Sequence, residues 1–318
     1  MNPFLTEVGK KLAEKWVTLL ALPGVLFIAV AAIGSTLGHR RAFDAKALVD
    51  RMGQLTEQLG KAGNSAIVLC VASVLLASVG AGIAAQAATS LVQRAWFVDR
   101  RSRIDGPPPR YAALTWLRWL PTRIRNAHNR LCRLAIDHRS GRWDFIEAAF
   151  HAAQTAAADD AVLAELADAR NRIALARPVK PTWMGDRVQV TGIRIRNEYG
   201  LDLTTCWPAL SVVLPDGVSG KVDTARGSFD RSATLAGWAM LYVVLALAWW
   251  PAILIAIVVY VTARRRARST LDSLAALTEA VVDIHCAALA ESLNVNVPNE
   301  EFTPRIGREI TARLRKGV

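Results

Sequence analysis

The run SAIVLCVASVLLASVGAGIAAQAATSL, residues 65–91, contains no Asp, Glu, Lys or Arg. A helix rises about 1.5 Å per residue, so this segment is long enough to cross a hydrocarbon core of about 30 Å. Its small residues, Ser78, Gly80, Gly82 and Ala85, leave room for a second helix to approach closely.

The partner expected for that approach is the run from Trp16 to Leu37, which also carries no charge. Pro23 and Gly24 sit inside it and are expected to kink the helix rather than end it, because lipid offers the backbone no hydrogen-bond partner outside the chain. The run is too long for a secretory signal and lacks a small-residue cleavage site, so it reads as a retained anchor.

A third apolar stretch, 233–263, carries Trp249, Trp250 and Pro251 at its centre. Aromatic residues favour the membrane interface, and proline suits the first turn of a new helix. The stretch therefore reads as a transmembrane hairpin turning at Trp249-Trp250-Pro251, with one kinked span as the alternative. Basic clusters supply a second criterion. Lys10, Lys11 and Lys15 precede the first run, Arg94, Arg100, Arg101 and Arg103 follow the second, and Arg264, Arg265, Arg266 and Arg268 follow the third. By the positive-inside rule all three clusters face the cytoplasm, which requires an even number of crossings.

The expectation is an all-α membrane protein at the cell membrane, divided as follows: a cytoplasmic N-terminus over 1–15, a first span over 16–38, an external connection over 39–64, a second span over 65–91, a helical cytoplasmic domain over 92–232, the hairpin over 233–263, and a cytoplasmic amphipathic helix and tail over 264–318. Composition agrees. A chain that is 52 % hydrophobic and 21 % charged, with net charge +12, must segregate the two classes of residue along its length.

The central domain is uneven in charge. Residues 94–142 hold twelve Arg against three Asp, and residues 143–169 hold six carboxylates and no base. Two explanations stand side by side. Arg94, Arg100, Arg101, Arg103 and the 264–268 cluster contact anionic lipid, with Trp96, Trp116, Trp119, Trp249 and Trp250 as interface anchors; or the basic and acidic segments pair along a helical hairpin turning near Ser140 and Gly141. Nucleic acid is the least favoured anionic partner, since a basic stripe beside a bilayer already has one. Further on, Val188 to Ile195 alternates like a strand, but an isolated strand has no ladder partner, so it reads as helix. Trp183, Asp186 and Arg187 form either a small binding pocket or a local cap and ion pair. Leu274, Leu277, Val281, Ile284 and Ala288 recur at helical spacing and make a stripe that docks on the soluble domain or on a second copy.

Chemistry has little to rest on. No phosphate-binding, dinucleotide-binding, zinc-protease or serine-hydrolase signature occurs. Cys70, Cys132, Cys206 and Cys286 are widely spaced and read as reduced. The five histidines are scattered, and Glu279 with Asp283 lacks a third ligand. No ionisable group sits inside a span, and Gln86, Thr89 and Ser90 are explained by helix packing. No catalytic residue, metal site or cofactor is assigned.

Leu22-Pro23-Gly24-Val25-Leu26-Phe27, Ala84-Ala85-Gln86-Ala87, Pro181-Thr182-Trp183, Tyr199-Gly200-Leu201-Asp202, Trp207-Pro208, Trp249-Trp250-Pro251 and Val281-Val282-Asp283-Ile284-His285 together resemble, in this order, a family of uncharacterised actinobacterial multi-span membrane proteins. The resemblance implies the same topology and assigns no functional residue. The leading expectation is a non-enzymatic membrane anchor or adaptor whose cytoplasmic domain recruits a protein partner at an anionic membrane surface. The alternatives are an oligomeric pore or toxin-like effector assembled through the small-residue faces, and a membrane-bound enzyme.

Overall fold

A computed structural model of the chain describes residues 22–39, 42–97, 122–295, 297 and 302–315. Their regular elements are α1 (Leu22–Leu37), α2 (Ala45–Trp96), α3 (Thr122–Thr155), α4 (Asp160–Ile173), α5 (Trp183–Tyr199), α6 (Leu203–Val213), α7 (Asp216–Leu245), α8 (Ala252–Ser292) and α9 (Pro304–Leu314). No strand occurs among the described residues, so the protein is all-helical. The alternating Val188–Ile195 piece lies inside α5. Among the described residues two helices are long and apolar enough to cross a membrane, the Ser65–Trp96 part of α2 and α8. The expected 1–15 segment, the start of the first span, Arg100, Arg101, Arg103, Trp116 and Trp119 lie outside the described residues.

The chain divides into two compact units. The first is drawn from Met1–Gln93 and Arg231–Arg266, the second from Arg94–Asp230 and Ala267–Val318.

In the first unit, helices meet through residues that have almost no side chain. A Cβ built on Gly24 would lie 2.5 Å from Ser78 O, and one on Gly237 would lie 2.5 Å from Ala85 O and closer still to Thr89 Oγ1. Ser78 and Thr89 return their hydroxyls to Val74 O (2.7 Å) and Ala85 O (2.8 Å) on their own helix, so the close approach strands no donor. Phe27 of α1 sets its ring edge-on to Tyr242 of α7 at 5.3 Å and tilted to Trp238 at 6.1 Å. The faces turned away from these contacts are apolar: Val68, Leu69, Leu76 and Ile83 of α2 and Leu254, Ile257 and Val258 of α8 are all exposed.

The helix breaks at the expected place, since α7 stops at Leu245 and α8 begins at Ala252, with Trp249-Trp250-Pro251 in the turn. The connection expected over 39–64 is different. After a turn at Gly38 (φ +60°) the chain is helical from Ala45 onward, so most of that connection is a helical extension of α2.

In the second unit, α3 and α4 form an antiparallel pair, but the turn is not at Ser140 and Gly141. Helix α3 runs through both, and the reversal comes at Ala156–Asp159, with Ala157 at φ +52°. A glycine inside a helix costs only about 1 kcal/mol relative to alanine, which the tertiary contacts of α3 outweigh. The acidic stretch consequently pairs with later arginines rather than with the basic stretch before it: Arg170 with Glu147 and Arg177 with Asp144, both at 2.8 Å.

The main core joins Ile195, Leu201, Leu210, Val282, Leu289 and Ile310, from α5, α6, α8 and α9. Of the expected stripe on α8, Val281 is buried and Leu274 and Leu277 pack at the edge of the core. Ile284 is 72 % exposed, however, because the buried face runs through Val282, Cys286 and Leu289 instead. Helix α9 was not anticipated, although Thr303-Pro304 is a good start signal and Ile306, Ile310 and Leu314 share a face.

The tight contact at Gly237 gives a direct prediction. Gly237→Leu is expected to destabilise the detergent-solubilised protein by about 1–3 kcal/mol through overpacking. Gly80→Leu, where a Cβ meets nothing within 4 Å, is expected to leave the thermal unfolding midpoint unchanged.

Candidate functional site

Successive residues on a helix point about 100° apart, so neighbours in sequence serve different partners. At the start of α5 this separates Asp186 from Arg187. Thr182 caps the helix by accepting the Gly185 N–H at 3.1 Å, which fixes the direction of that first turn.

Asp186 is buried and holds three donors: the N–H groups of Val179 (3.0 Å) and Lys180 (2.8 Å), and the Arg139 guanidinium of α3 at 2.6 Å. Arg139 in turn donates to Lys180 O and Ile173 O. One carboxylate and one guanidinium thereby join α3, the end of α4, the Pro178–Lys180 loop and α5.

Arg187 is only 5 % exposed. Its Nε donates to Asp272 Oδ1 at 2.7 Å, and its Nη1 donates to Glu279 Oε1 and to Thr191 Oγ1, each at 2.8 Å. Thr191 also donates to Glu279 Oε1 at 2.9 Å, and Arg194 approaches Glu279 Oε2 at 3.4 Å. The pattern is two stripes facing each other: Arg187, Thr191 and Arg194 at i, i+4 and i+7 on α5, and Asp272 and Glu279 at i and i+7 on α8. Burial by itself pulls the Arg187 pKa down, but its bonds to Glu279 and Asp272 outweigh that and hold it above the ordinary arginine value. Burial likewise pushes Glu279 up, and Arg187 and Thr191 reverse it, so its carboxyl stays below the usual glutamate value.

Groups tuned this way hold their charge in place. A carboxylate held ionised by a guanidinium is a poor general acid, and burial pushes the Cys206 and Cys286 thiols up, away from the nucleophilic thiolate. Among the described residues, no three His, Cys, Asp or Glu side chains come together as a metal site. The oxygens of Glu279 are taken by Arg187, Thr191 and Arg194 rather than offered with Asp283 to an ion.

Comparison with protein-family models, curated proteins and solved structures finds no match to this chain. The residues themselves therefore carry the argument.

The structure brings Trp183, Asp186 and Arg187 into one region. Asp186 and Arg187 each have local partners, but their charged partners, Arg139, Asp272 and Glu279, are distant in sequence. Trp183 receives the Arg268 guanidinium over its ring at 4.4 Å, and Arg268 also donates to Arg172 O. Arg268 is thus engaged by protein, as is Arg266, and Arg94, Arg264, Arg265 and Arg266 have exposed side chains. Trp96, expected as an interface anchor, is 4 % exposed and stacks against Phe229 at 6.2 Å, so protein surrounds its ring. Trp249 and Trp250 keep a position at a helix end. Trp249 Nε1 donates to Ala42 O at 3.2 Å, and the exposed Trp250 meets Phe43 edge-on at 5.6 Å.

The network predicts a pH signature. The folded-state pKa of Glu279 is depressed, so its contribution is present above the ordinary glutamate value of 4.5 and is lost as pH falls through and below it. Arg187→Met is expected to cost about 1–3 kcal/mol, because the half-buried Glu279 loses its main counterion while the exposed Asp272 is solvated by water. It should also flatten the acid-side loss of stability, because protonating Glu279 then relieves the variant. Urea unfolding of both proteins between neutral pH and the acid range checks both effects.

Proposed function

We propose that the protein is an integral membrane anchor whose helical second unit recruits a protein partner at the cytoplasmic face. The reading rests on an exposed stripe of α3. Leu131, Leu134, His138, Arg142 and Phe145 recur every three or four residues along one side of that helix, and Phe145 is 76 % exposed. A cleft of about 600 Å³ opens beside Asp137, Gly141, Phe145 and Ile146. Apolar anchors with charged groups between them, on a rigid helix, suit a partner's amphipathic helix that brings its own apolar residues and an acidic group for Arg142.

The membrane part of the reading is supported by the first unit. Its outward faces are apolar, and Ser78 and Thr89 at its close contacts bond to their own helix. His39 bridges Leu247 O at 2.9 Å and the Trp250 N–H at 3.2 Å, so the turn after α1 and the turn between α7 and α8 lie together at one end of that unit. Such an arrangement suits the four-crossing topology, with both turns external and the Arg94 and Arg264–Arg266 clusters on the cytoplasmic side against anionic lipid.

The pore or toxin-like reading needs the small-residue faces free for other copies. Ser78, Ala85 and Thr89 already pack against Gly24 and Gly237 of the same chain, so those faces have little left to offer a neighbour. A membrane-bound enzyme needs a tuned acid, base or nucleophile, and the matched ion pairs around Arg187 favour a structural role instead.

Photocrosslinking tests the proposal. A photoreactive amino acid at position 145 of the membrane-inserted protein is expected to capture one discrete protein in cells, and Leu134→Asp is expected to abolish the capture while leaving the protein in the membrane fraction. Capture that is absent, or that persists undiminished in Leu134→Asp, would count against recruitment through α3.

A further inference from the structure

Helix α9 closes against the end of α5 so tightly that two glycines are required. Gly200 ends α5 in the left-handed region at φ +69°, and a Cβ there would overlap Pro304 O; a Cβ on Gly307 would overlap Tyr199 O. The contact is fixed further by the buried Thr311, whose hydroxyl accepts the Asp202 N–H at 3.1 Å and lies 3.5 Å from Cys206 Sγ. Ile306 and Ile310 of the same helix are in the core. The walls where α9 meets the Tyr199–Asp202 bend are therefore rigid.

Between them is a cleft of about 400 Å³ lined by Arg196, Asp202, Arg308, Thr311 and Arg315, among others. Three guanidinium groups line it together with a single carboxylate. Asp202 Oδ2 accepts from Arg315 at 2.8 Å, and Oδ1 is 3.9 Å from Arg196 and accepts the Thr204 N–H at 3.2 Å in capping α6. Among the described residues Arg308 has no hydrogen bond or ion pair. The cleft thus carries two positive charges more than its own residues neutralise, and arginine cannot relieve this by losing a proton. Holding like charges together is unfavourable unless an anion joins them.

We propose that this cleft binds a phosphate group, with Arg196 and Arg308 donating to its oxygens and Arg315 held in place by Asp202. A phosphate matches the excess of two charges, and its oxygens fit the paired N–H groups of guanidinium forks. A single carboxylate would neutralise half of the excess. The volume admits one phosphate with a small substituent, which is either a soluble phosphoester or the headgroup of a phospholipid. The residues are separate from the Arg94 and Arg264–Arg266 clusters, and the inference does not depend on partner recruitment.

The test uses the full chain in phosphatidylcholine nanodiscs, titrated with inorganic pyrophosphate by calorimetry. Saturable one-to-one binding is expected, weakened about tenfold or more by Arg308→Gln or Arg196→Gln, since each removes a charge-assisted hydrogen bond. Arg305→Gln, on the same helix but not lining the cleft, is expected to leave binding unchanged. A second arm supplies phosphatidic acid in the nanodisc and counts retained lipid by native mass spectrometry. Retention that Arg308→Gln abolishes, with weak pyrophosphate binding, assigns the phosphate to a lipid headgroup. Strong pyrophosphate binding with no selective retention assigns it to a soluble ligand. The proposal is overturned if neither probe binds, or if binding is the same in wild type, Arg308→Gln and Arg196→Gln.

Discussion

A guanidinium withdrawn from water must be met by carboxylates and hydrogen-bond acceptors, and Arg187 is met on every reachable side. Asp272 and Glu279 lie on α8, and Thr191 lies one turn further along α5. The register between these helices follows from that need, since a shift of one turn would leave a buried charge without its counterion. With α5 fixed against α8, the core of Ile195, Val282 and Leu289 closes between them, and α9 caps it. Asp186, one residue earlier, applies the same rule toward α3 through Arg139. Two adjacent residues on one helix thus organise most of the second unit.

The first unit answers a related constraint with different means. Its helices meet through Gly24 and Gly237, with the hydroxyls of Ser78 and Thr89 turned back to their own backbones, so the close contact strands no donor. Where the chain leaves this regime, at the turn beyond Leu245, polar contacts between helices reappear in the bonds of His39 and Trp249. The two units thus hold together by different means, close contacts at small residues in the first and matched ion pairs in the second.

Periodicity and charge exposed the 65–91 run, which lies in a helix long and apolar enough to cross a membrane, the break at Trp249-Trp250-Pro251 and the helical state of Val188–Ile195, because each is a local property of the chain. The hairpin turn was misplaced for the same reason. Gly141 looks like a local breaker, while contacts made by Arg139 and Trp143 to residues more than thirty positions away keep α3 continuous. For Arg187 the sequence offers only a small pocket or a local pair, because its carboxylates lie 85 and 92 residues downstream. The matching spacing of Arg187, Thr191 and Arg194 with Asp272 and Glu279 was visible, but only once α5 and α8 are known to be neighbours does it acquire meaning. Ile284 fell on the wrong side because a stripe chosen for regular spacing was about one residue out of phase with the face that α5, α6 and α9 bury.

The claim on which the whole functional account turns is that the helical second unit is displayed on the cytoplasmic side of a membrane crossed four times. A reporter active only in the cytoplasm, fused after Val318 in one protein and inserted at Lys61 in another, measures it directly. The account predicts activity at Val318 and silence at Lys61, with both proteins expressed and in the membrane fraction. Silence at Val318 or activity at Lys61 would contradict it.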